Sequence, residues 1–194
     1  MRKVSMLIKN QINVVAICGS LREGSTTHAA LSVALTGAEE EGAEVELIDL
    51  REYRLIFQSA IAEDSDCPPE VHKLRSKVRR ADGILLGTPE YHGSFSGVLK
   101  YTLDLMSYDE FENKVVGLVG VSGGRMGAVN ALSMLRTVGA VLRAFVIPTS
   151  VSIPHASEAF DVNGNLHDLE MVERVKQVGR EVTQIAALHN KRKQ

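Results

Sequence analysis

Hydroxyl side chains cluster in the segment CGSLREGSTTHAAL, which follows the first apolar run of the chain. Gly19 and Gly24 have the G-x-x-x-x-G spacing of a nucleoside triphosphate loop, but Ser25 stands where that loop carries its lysine. The segment also lacks the G-x-G-x-x-G spacing of a dinucleotide fold. Its hydroxyls surround the start of a predicted helix, where unpaired amides and the positive dipole end favour one phosphate monoester. The residues of this cluster are Ser20, Arg22, Ser25, Thr26 and Thr27.

The same cluster has a simpler interpretation, in which Ser25 or Thr26 only caps the helix. One hydroxyl is enough for a cap. Four hydroxyls and an arginine therefore favour a bound phosphate.

A second segment, LGTPEYHGSFSGVLKYTLD, combines features that suit the rim of a flat heterocycle. Pro89 stiffens its start, and Gly93 and Gly97 allow a ligand to approach the backbone closely. Tyr91 adds an aromatic ring. Taken alone, the segment could also be an ordinary turn in which Ser94 caps the next helix.

A third segment, GVSGGRMGAVNAL, presents bare backbone at Ser122, Gly123 and Gly124. Such a stretch suits a nest of N–H donors or a platform under a ring. It is equally compatible with a flexible glycine turn.

These segments each follow an apolar run, and the runs alternate with helical patterns along the chain. The three central runs are almost continuously apolar, which is typical of parallel strands covered on both faces, whereas 43–50 alternates like an edge strand. The alternation predicts a doubly wound α/β sheet with right-handed crossovers. Strands are expected at 12–18, 43–50, 83–88, 115–121 and 140–147, and helices at 28–42, 68–82, 95–107, 127–139 and 167–190. In such a sheet ligands bind at the carboxyl ends of the strands, where all three segments lie.

Length and composition predict one domain over residues 1–194, with a short N-terminal extension at 1–11 and a basic C-terminal tail at 191–194. The net charge of −2, with Lys and Arg scattered, argues against nucleic acid as a partner. No apolar run approaches the length of a membrane span. Cys18 and Cys67 cannot form a disulfide framework or a metal cluster, so we expect a cytoplasmic protein without a bound metal.

Together the three segments resemble the NADPH-dependent FMN reductase family, which includes quinone, azo-dye and chromate reductases. The resemblance spans nearly the whole chain, through GSLREGS, PEYHGSFSGVLKYTLD and SGGRMG. It implies a flavodoxin-like fold, with a five-stranded parallel sheet in the order 2-1-3-4-5 and helices on both faces. It also implies FMN as cofactor, NADPH or NADH as hydride donor, and a homodimer or homotetramer.

Carried over residue by residue, the resemblance assigns each segment to one part of FMN. Ser20, Arg22, Ser25, Thr26 and Thr27 would hold its phosphate. Pro89, Glu90, Tyr91, His92 and Gly93 would edge the isoalloxazine. Ser122, Gly123 and Gly124 would line the pyrimidine end, where the amides of the two glycines would stabilise the reduced flavin.

Two positions depart from the family pattern. Position 92 is His where the family usually has Asn, and position 96 is Ser where it usually has Pro. Ser96 still suits the start of a helix. His92 either replaces one hydrogen bond at the flavin edge or brings a group that titrates near neutrality to the ring.

The implied activity is hydride transfer from NAD(P)H to FMN and on to a small acceptor, by a ping-pong scheme. The acceptor could be a flavin, a quinone, an azo or nitro compound, or a metal oxyanion, and no catalytic acid or base is expected because the cofactors perform the chemistry. The alternatives are a flavodoxin-type electron carrier or a domain that binds a phosphate ligand without redox chemistry. Carriers tend to be acidic and to bury the flavin between aromatic rings, whereas this chain has no Trp and only four Tyr.

Overall fold

The computed structural model describes residues 11–56 and 67–192. The strands are β1 (Asn13–Cys18), β2 (Glu44–Asp49), β3 (Gly83–Tyr91), β4 (Ser94–Phe95), β5 (Val115–Val121) and β6 (Phe145–Ile153). The helices are α1 (Thr26–Glu40), α2 (Pro69–Arg80), α3 (Gly97–Asp104), α4 (Tyr108–Phe111), α5 (Val129–Val141), α6 (Ala156–Ala159) and α7 (Leu169–Arg192). Most of the predicted N-terminal extension and the last two residues of the predicted tail lie outside the described residues.

The long strands form a parallel sheet in the order β2-β1-β3-β5-β6. This is the predicted 2-1-3-4-5 order, since the short β4 is an addition that pairs antiparallel with β3 alone. The central strands are buried on both faces, and β5 is buried at every position. The edge strand β2 alternates between exposed and covered residues, as its sequence predicts.

Two hydrophobic cores cover the two faces of this sheet. Helices α1 and α7 close one face, where Leu31 and Val178 are fully buried. These two helices pack closely because Gly37 and Gly179 lie in their contact, and an added Cβ at either position would overlap the backbone of the facing helix. Helices α2, α3, α4 and α5 cover the other face, around Phe111 and Leu135.

The fifth long strand lies further along the chain than predicted. Residues 140–141 continue α5, which ends where Arg143 adopts a left-handed φ of 60° and Ala144 N–H bonds back to the Gly139 carbonyl at 2.9 Å. The expected strand 140–147 was wrong because a non-glycine residue ends the helix and leaves no glycine signal. The strand then runs through Pro148, which is tolerated in an edge strand where the register with β5 shifts.

Several smaller boundaries also differ from the prediction. β3 continues through Tyr91 rather than ending at 88, and the expected helix 95–107 is the shorter α3, which ends at Asp104 and is followed by the separate α4. The break before α4 is fixed by a capping box between Ser107 and Glu110. Among the described residues, no helix has the length and apolar character needed to cross a membrane.

Candidate functional site

The three segments singled out from the sequence lie at the carboxyl ends of adjacent strands. We call them loop one (residues 19–25, after β1), loop two (residues 89–96, the end of β3 with its hairpin) and loop three (residues 122–128, after β5). Because β1, β3 and β5 are neighbours in the parallel sheet, the three loops meet at one edge. This is the position at which open α/β sheets bind their ligands.

Loop one lies against the end of β3 and leads into α1. Gly19 N–H donates to the Gly87 carbonyl at 2.8 Å, and an added Cβ at Gly19 would come within 3.0 Å of three neighbouring atoms. Gly24 has a φ of +64°, which turns the chain into the helix. Ser25 is the N-cap of α1, where its Oγ accepts from His28 N–H at 3.3 Å. Ser25 therefore caps α1, which both interpretations of the cluster allow.

The start of α1 nevertheless keeps the features of an anion site. The first turn of the helix contains no acidic residue, and its leading amides have no intrahelical acceptor. Thr27 is buried and Thr26 is half-buried beside Ser25. Ser20 is buried and accepts from Arg22 N–H at 3.4 Å, while the Arg22 side chain is exposed. All five predicted phosphate ligands thus lie in loop one or the first turn of α1.

Two other polar residues near loop one have structural roles. Asp49 closes the turn after β2, since its Oδ1 accepts from Arg51 N–H at 3.0 Å, and hydrogen bonds from the Arg51 side chain lower its pKa. Burial raises the pKa of the Cys18 thiol, whose Sγ lies 3.7 Å from the Ser20 carbonyl oxygen. Cys18 therefore packs as a small neutral side chain.

Loop two is a hairpin with two residues at its tip. His92 and Gly93 have φ angles of 52° and 76°, and Tyr91 pairs with Ser94 across the turn. Two consecutive positive φ values are the requirement of a type I′ turn, which favours Asn-Gly and which His tolerates better than most side chains. Tyr91 and His92 are exposed at this rim, whereas Pro89 is buried at the end of β3.

Glu90 points away from the tip of loop two. Its Oε2 accepts from the backbone N–H of Ala131, in the first turn of α5, at 3.0 Å. The N-cap residue of that helix is Ala128, which has no side-chain oxygen to cap it. The carboxylate of Glu90 therefore supplies the missing cap, and its backbone remains in loop two.

Ser96, at the end of loop two, caps α3. Its Oγ accepts from Leu99 N–H at 3.2 Å and donates to the Gly19 carbonyl at 2.6 Å. Ser94, the cap in the ordinary-turn interpretation, instead lies with its Oγ 3.2 Å from the sulfur of Met134. That part of the interpretation was wrong.

Loop three is held by hydrogen bonds along its length. Ser122 N–H donates to the Ile153 carbonyl at 2.9 Å, and Gly124 N–H donates to Ser122 Oγ at 3.1 Å. Gly127 has a φ of +67°, and Ala128 N–H donates to Ser152 Oγ at 2.7 Å. An added Cβ at Gly123 would meet no atom within 4 Å. Within residues 11–56 and 67–192, the Gly123 amide donates no hydrogen bond to the protein.

Two residues with site contacts were not among the sequence candidates. Thr88 accepts a hydrogen bond from Ser96 N–H, and Ser152 fixes the end of loop three. Each side chain accepts a hydrogen bond from a backbone N–H, which leaves no residue-specific signal in the sequence. The one available sequence signal was the position of Thr88 directly before loop two. His155 and His167 line a cleft of about 270 Å³ beside loop three. The cap of α7 is Asp168, which accepts from Glu170 N–H at 2.9 Å.

The described residues show no cluster of three or more His, Cys, Asp or Glu side chains that could hold a metal ion. The site therefore consists of backbone amides, hydroxyls and exposed side chains. Such a site can bind an anion and a planar group.

Comparisons with known proteins identify the family and the fold. A family model described as NADPH-dependent FMN reductase matches residues 12–158, which is more than half of the chain. The chain is similar to an NAD(P)H-dependent FMN reductase of Pseudomonas aeruginosa, with 35% identity over 174 residues that cover 88% of this chain and 92% of the relative. It is also similar to an FMN-dependent NADPH-azoreductase of Staphylococcus saprophyticus, with 39% identity over 140 residues that cover 70% and 73%.

A solved structure shows the same fold. The flavoenzyme NAD(P)H:(acceptor) oxidoreductase FerB of Paracoccus denitrificans matches with a TM-score of 0.75 at 22% identity. The match covers 92% of this chain and 98% of the other. The overall arrangement is thus that of flavodoxin-like proteins.

Proposed function

Since this chain belongs to the NADPH-dependent FMN reductase family and is an FMN-dependent oxidoreductase, we propose that its three loops form the FMN site. NAD(P)H and a small electron acceptor would react there in turn. The observation that carries the proposal is that the three loops meet at one sheet edge, where loop two is hydrogen-bonded both to loop one and to the helix that follows loop three.

The phosphate of FMN is assigned to loop one and the first turn of α1. Hydroxyls and leading amides are the donors that a phosphate monoester requires, and no carboxylate in that turn would repel it. Arg22 is exposed and adds a positive charge nearby. The proposed phosphate ligands are Ser20, Arg22, Ser25, Thr26 and Thr27.

The isoalloxazine is assigned to loops two and three. The open space beside Gly123 and Gly124 fits a flat ring, since an added Cβ at Gly123 meets nothing and one at Gly124 meets only Ser122 Oγ, at 3.7 Å. The Gly123 amide is the donor we assign to the pyrimidine end, because Gly124 N–H already bonds to Ser122. The remaining ring contacts are assigned to Pro89, Glu90, Tyr91, His92 and Gly93, with Glu90 acting through its backbone.

When bound, FMN supplies the redox chemistry between NAD(P)H and the acceptor. The residues of the chain bind and orient FMN, and we assign none of them as a catalytic acid or base. The Gly123 amide would stabilise negative charge that develops near it, by the same electrostatic principle as an oxyanion hole. No described aromatic side chain lies in loop three to cover the ring, so donor and acceptor can use the same open face.

For the acceptor we propose planar conjugated molecules, namely azo compounds and quinones. The Staphylococcus saprophyticus relative is an FMN-dependent NADPH-azoreductase, which supports the first class. The shared open face predicts a ping-pong scheme, because the acceptor can enter only after NAD(P)⁺ has left.

The test begins with the visible spectrum of the purified protein and an anaerobic titration with NADPH and then NADH. The flavin absorbance should bleach with at least one coenzyme at a rate that supports turnover. Steady-state rates with a quinone or an azo dye should then give parallel double-reciprocal lines. If neither coenzyme bleaches the bound flavin, the electron-carrier alternative replaces the ping-pong proposal. Intersecting lines would leave an enzyme with a different order of binding.

We further propose that the protein is a homodimer or homotetramer. Four large apolar side chains around loops two and three are exposed, Met126 to 77% and Val129 to 52%, with Tyr91 and Met134 both at 46%. A second subunit would cover these side chains. Sedimentation velocity measures the mass directly, and a monomer at micromolar concentration would contradict this proposal.

A further inference from the structure

Ser96 connects loop one to loop two through a side chain that is only 2% exposed. Its Oγ–H donates to the Gly19 carbonyl at 2.6 Å, across 77 positions of sequence. Gly19 directly precedes Ser20, the first of the proposed phosphate ligands. The hydroxyl of Ser96 therefore fixes the backbone at the start of loop one.

The backbone of Ser96 makes the second half of the connection. Its N–H donates to Thr88 Oγ1 at 2.9 Å, and Thr88 Oγ1 donates to the Pro89 carbonyl at 2.8 Å. Thr88 is fully buried, and Pro89 begins loop two. A continuous hydrogen-bonded path thus runs from Gly19 through Ser96 and Thr88 to Pro89.

We propose that Ser96 is a positioning residue that sets the separation of the two loops, so that one FMN molecule engages both at once. The proposal rests on the FMN site described above. Ser96 itself touches neither the phosphate nor the ring. It acts through Gly19 on the loop that holds the phosphate.

The physical reason is the covalent link between the phosphate and the ring of FMN. Once the ring is bound by loops two and three, the phosphate binds as an intramolecular event, and its contribution depends on how well the loop spacing matches the link. Loosening loop one relative to loop two reduces that contribution. Riboflavin has no phosphate, so its affinity does not depend on this spacing.

Serine at position 96 is what makes the connection possible. A proline at this position would carry neither a hydroxyl nor a backbone N–H and could donate neither hydrogen bond. The packing around Gly19 adds a second constraint, because a Cβ there would lie 2.9 Å from Ser96 Oγ and 2.8 Å from the Gly87 carbonyl oxygen.

The experiment compares the dissociation constants of FMN and riboflavin for the wild type and Ser96→Ala, with the melting temperature of each protein. We expect Ser96→Ala to weaken FMN binding by about tenfold, which equals about 1.4 kcal/mol, and to change riboflavin binding by less than about twofold. Riboflavin is titrated with protein in excess, so that weak binding is also measured. Ser96→Gly serves as a second variant if Ser96→Ala folds poorly, since Gly retains most of the capping preference but lacks the hydroxyl.

Thr102→Val is the matched control. Thr102 is fully buried in the same helix, α3, and its Oγ1 donates to the Val98 carbonyl at 2.8 Å, away from loop one. This variant should lower the melting temperature and leave the ratio of the two dissociation constants unchanged. The inference is overturned if the Ser96 variants weaken both flavins by the same factor or weaken neither. If the wild type itself binds FMN no better than riboflavin, the phosphate site in the proposed function fails instead.

Discussion

Glu90 Oε2 accepts a hydrogen bond from Ala131 N–H at 3.0 Å, so a carboxylate in loop two caps the helix that follows loop three. The helix needs this external cap because its own N-cap residue is Ala128. A negative charge at a helix N-terminus is also favoured by the helix dipole. Glu90 therefore joins loop two to the helix that follows loop three.

Replacing Glu90 tests whether this cap stabilises the fold and the site together. We expect Glu90→Ala to lower the free energy of unfolding by about 1 kcal/mol, the typical cost of losing an N-cap. FMN affinity should fall as well, because loop two loses its hydrogen bond to the helix that follows loop three. Glu90→Gln keeps an acceptor oxygen and should lie between the wild type and Glu90→Ala. Urea unfolding and FMN titration provide the two measurements.

A carboxylate elsewhere on the surface provides the comparison for Glu90. Glu112 pairs with Arg143 at 3.0 Å, and both side chains are substantially exposed. Because exposed ion pairs contribute about 0–1 kcal/mol, Glu112→Ala should change stability little and FMN binding not at all. If Glu90→Ala behaves like Glu112→Ala, the capping role is wrong.

The double substitution Ser25→Ala with Thr27→Ala tests the phosphate assignment. FMN binding should weaken by about 1–3 kcal/mol for each charge-assisted hydrogen bond that is lost. Riboflavin binding should change little, since riboflavin lacks the phosphate. Fluorescence titration of both flavins measures the difference. Equal affinities of the wild-type protein for the two flavins would be incompatible with a phosphate site in loop one.

Ser25 also caps α1, so its loss destabilises the protein for a second reason. Ser107→Ala is the corresponding control, because Ser107 caps α4, on the face of the sheet opposite α1. This control should lower the melting temperature and leave FMN affinity unchanged. A loss of FMN affinity confined to the Ser25 and Thr27 double variant would then be due to the lost ligands.

His92→Asn distinguishes the two roles considered for His92. Asn adopts the left-handed conformation more readily than His, so the variant should be more stable by about 0.5–1 kcal/mol. If the side chain only bonds to the flavin edge, the pH profile of kcat/KM should keep its shape. If His92 exchanges a proton during turnover, the pH profile of kcat/KM should change shape in the variant. Urea unfolding and a pH series with NADPH make both comparisons.

Acid should destabilise the contact between α1 and α7. Glu40 bonds to Lys176 at 2.6 Å and Arg180 at 2.7 Å, and hydrogen bonds from these two cations lower the pKa of Glu40. A lowered folded-state pKa means that the stabilisation is complete above the unfolded value of 4.5 and is lost as the pH falls through the folded value. The melting temperature should therefore decrease as the pH is lowered below about 4.5. In Glu40→Gln the melting temperature should decrease less at acidic pH. An unchanged dependence of the melting temperature on pH would contradict the assignment of this effect to Glu40.

The sequence predicted the elements and the meeting of the three loops because both depend on local patterns. Almost continuous apolar runs identified the central strands, and the carboxyl ends of parallel strands necessarily meet at one edge. The cap at Ser25 followed from its position before a helical pattern. These features need only neighbouring residues to be recognised.

The contacts between the loops could not be predicted in this way. Ser96 bonds to Gly19 across 77 positions and Glu90 bonds to Ala131 across 41, and each partner is a backbone atom without a residue-specific signal. The end of α5 was misplaced for a related reason, since Arg143 takes a conformation that sequence rules reserve for glycine. Tertiary contacts decided these features.

Gly124→Val tests whether loop three is a binding surface, and Gly127→Ala is its control. Gly124 lies outside the left-handed region, and its added Cβ would meet only Ser122 Oγ, at 3.7 Å, so the folded protein can accept the valine. Gly127 has a φ of +67° and its Cβ would overlap Ser152 Oγ, so Gly127→Ala should cost about 1–2 kcal/mol in stability. If the flavin lies against Gly124, the valine should keep the melting temperature and lower FMN affinity and the rate of flavin reduction. Wild-type affinity and rate in Gly124→Val would remove Gly124 from the site, because an occupied surface has no room for the new side chain.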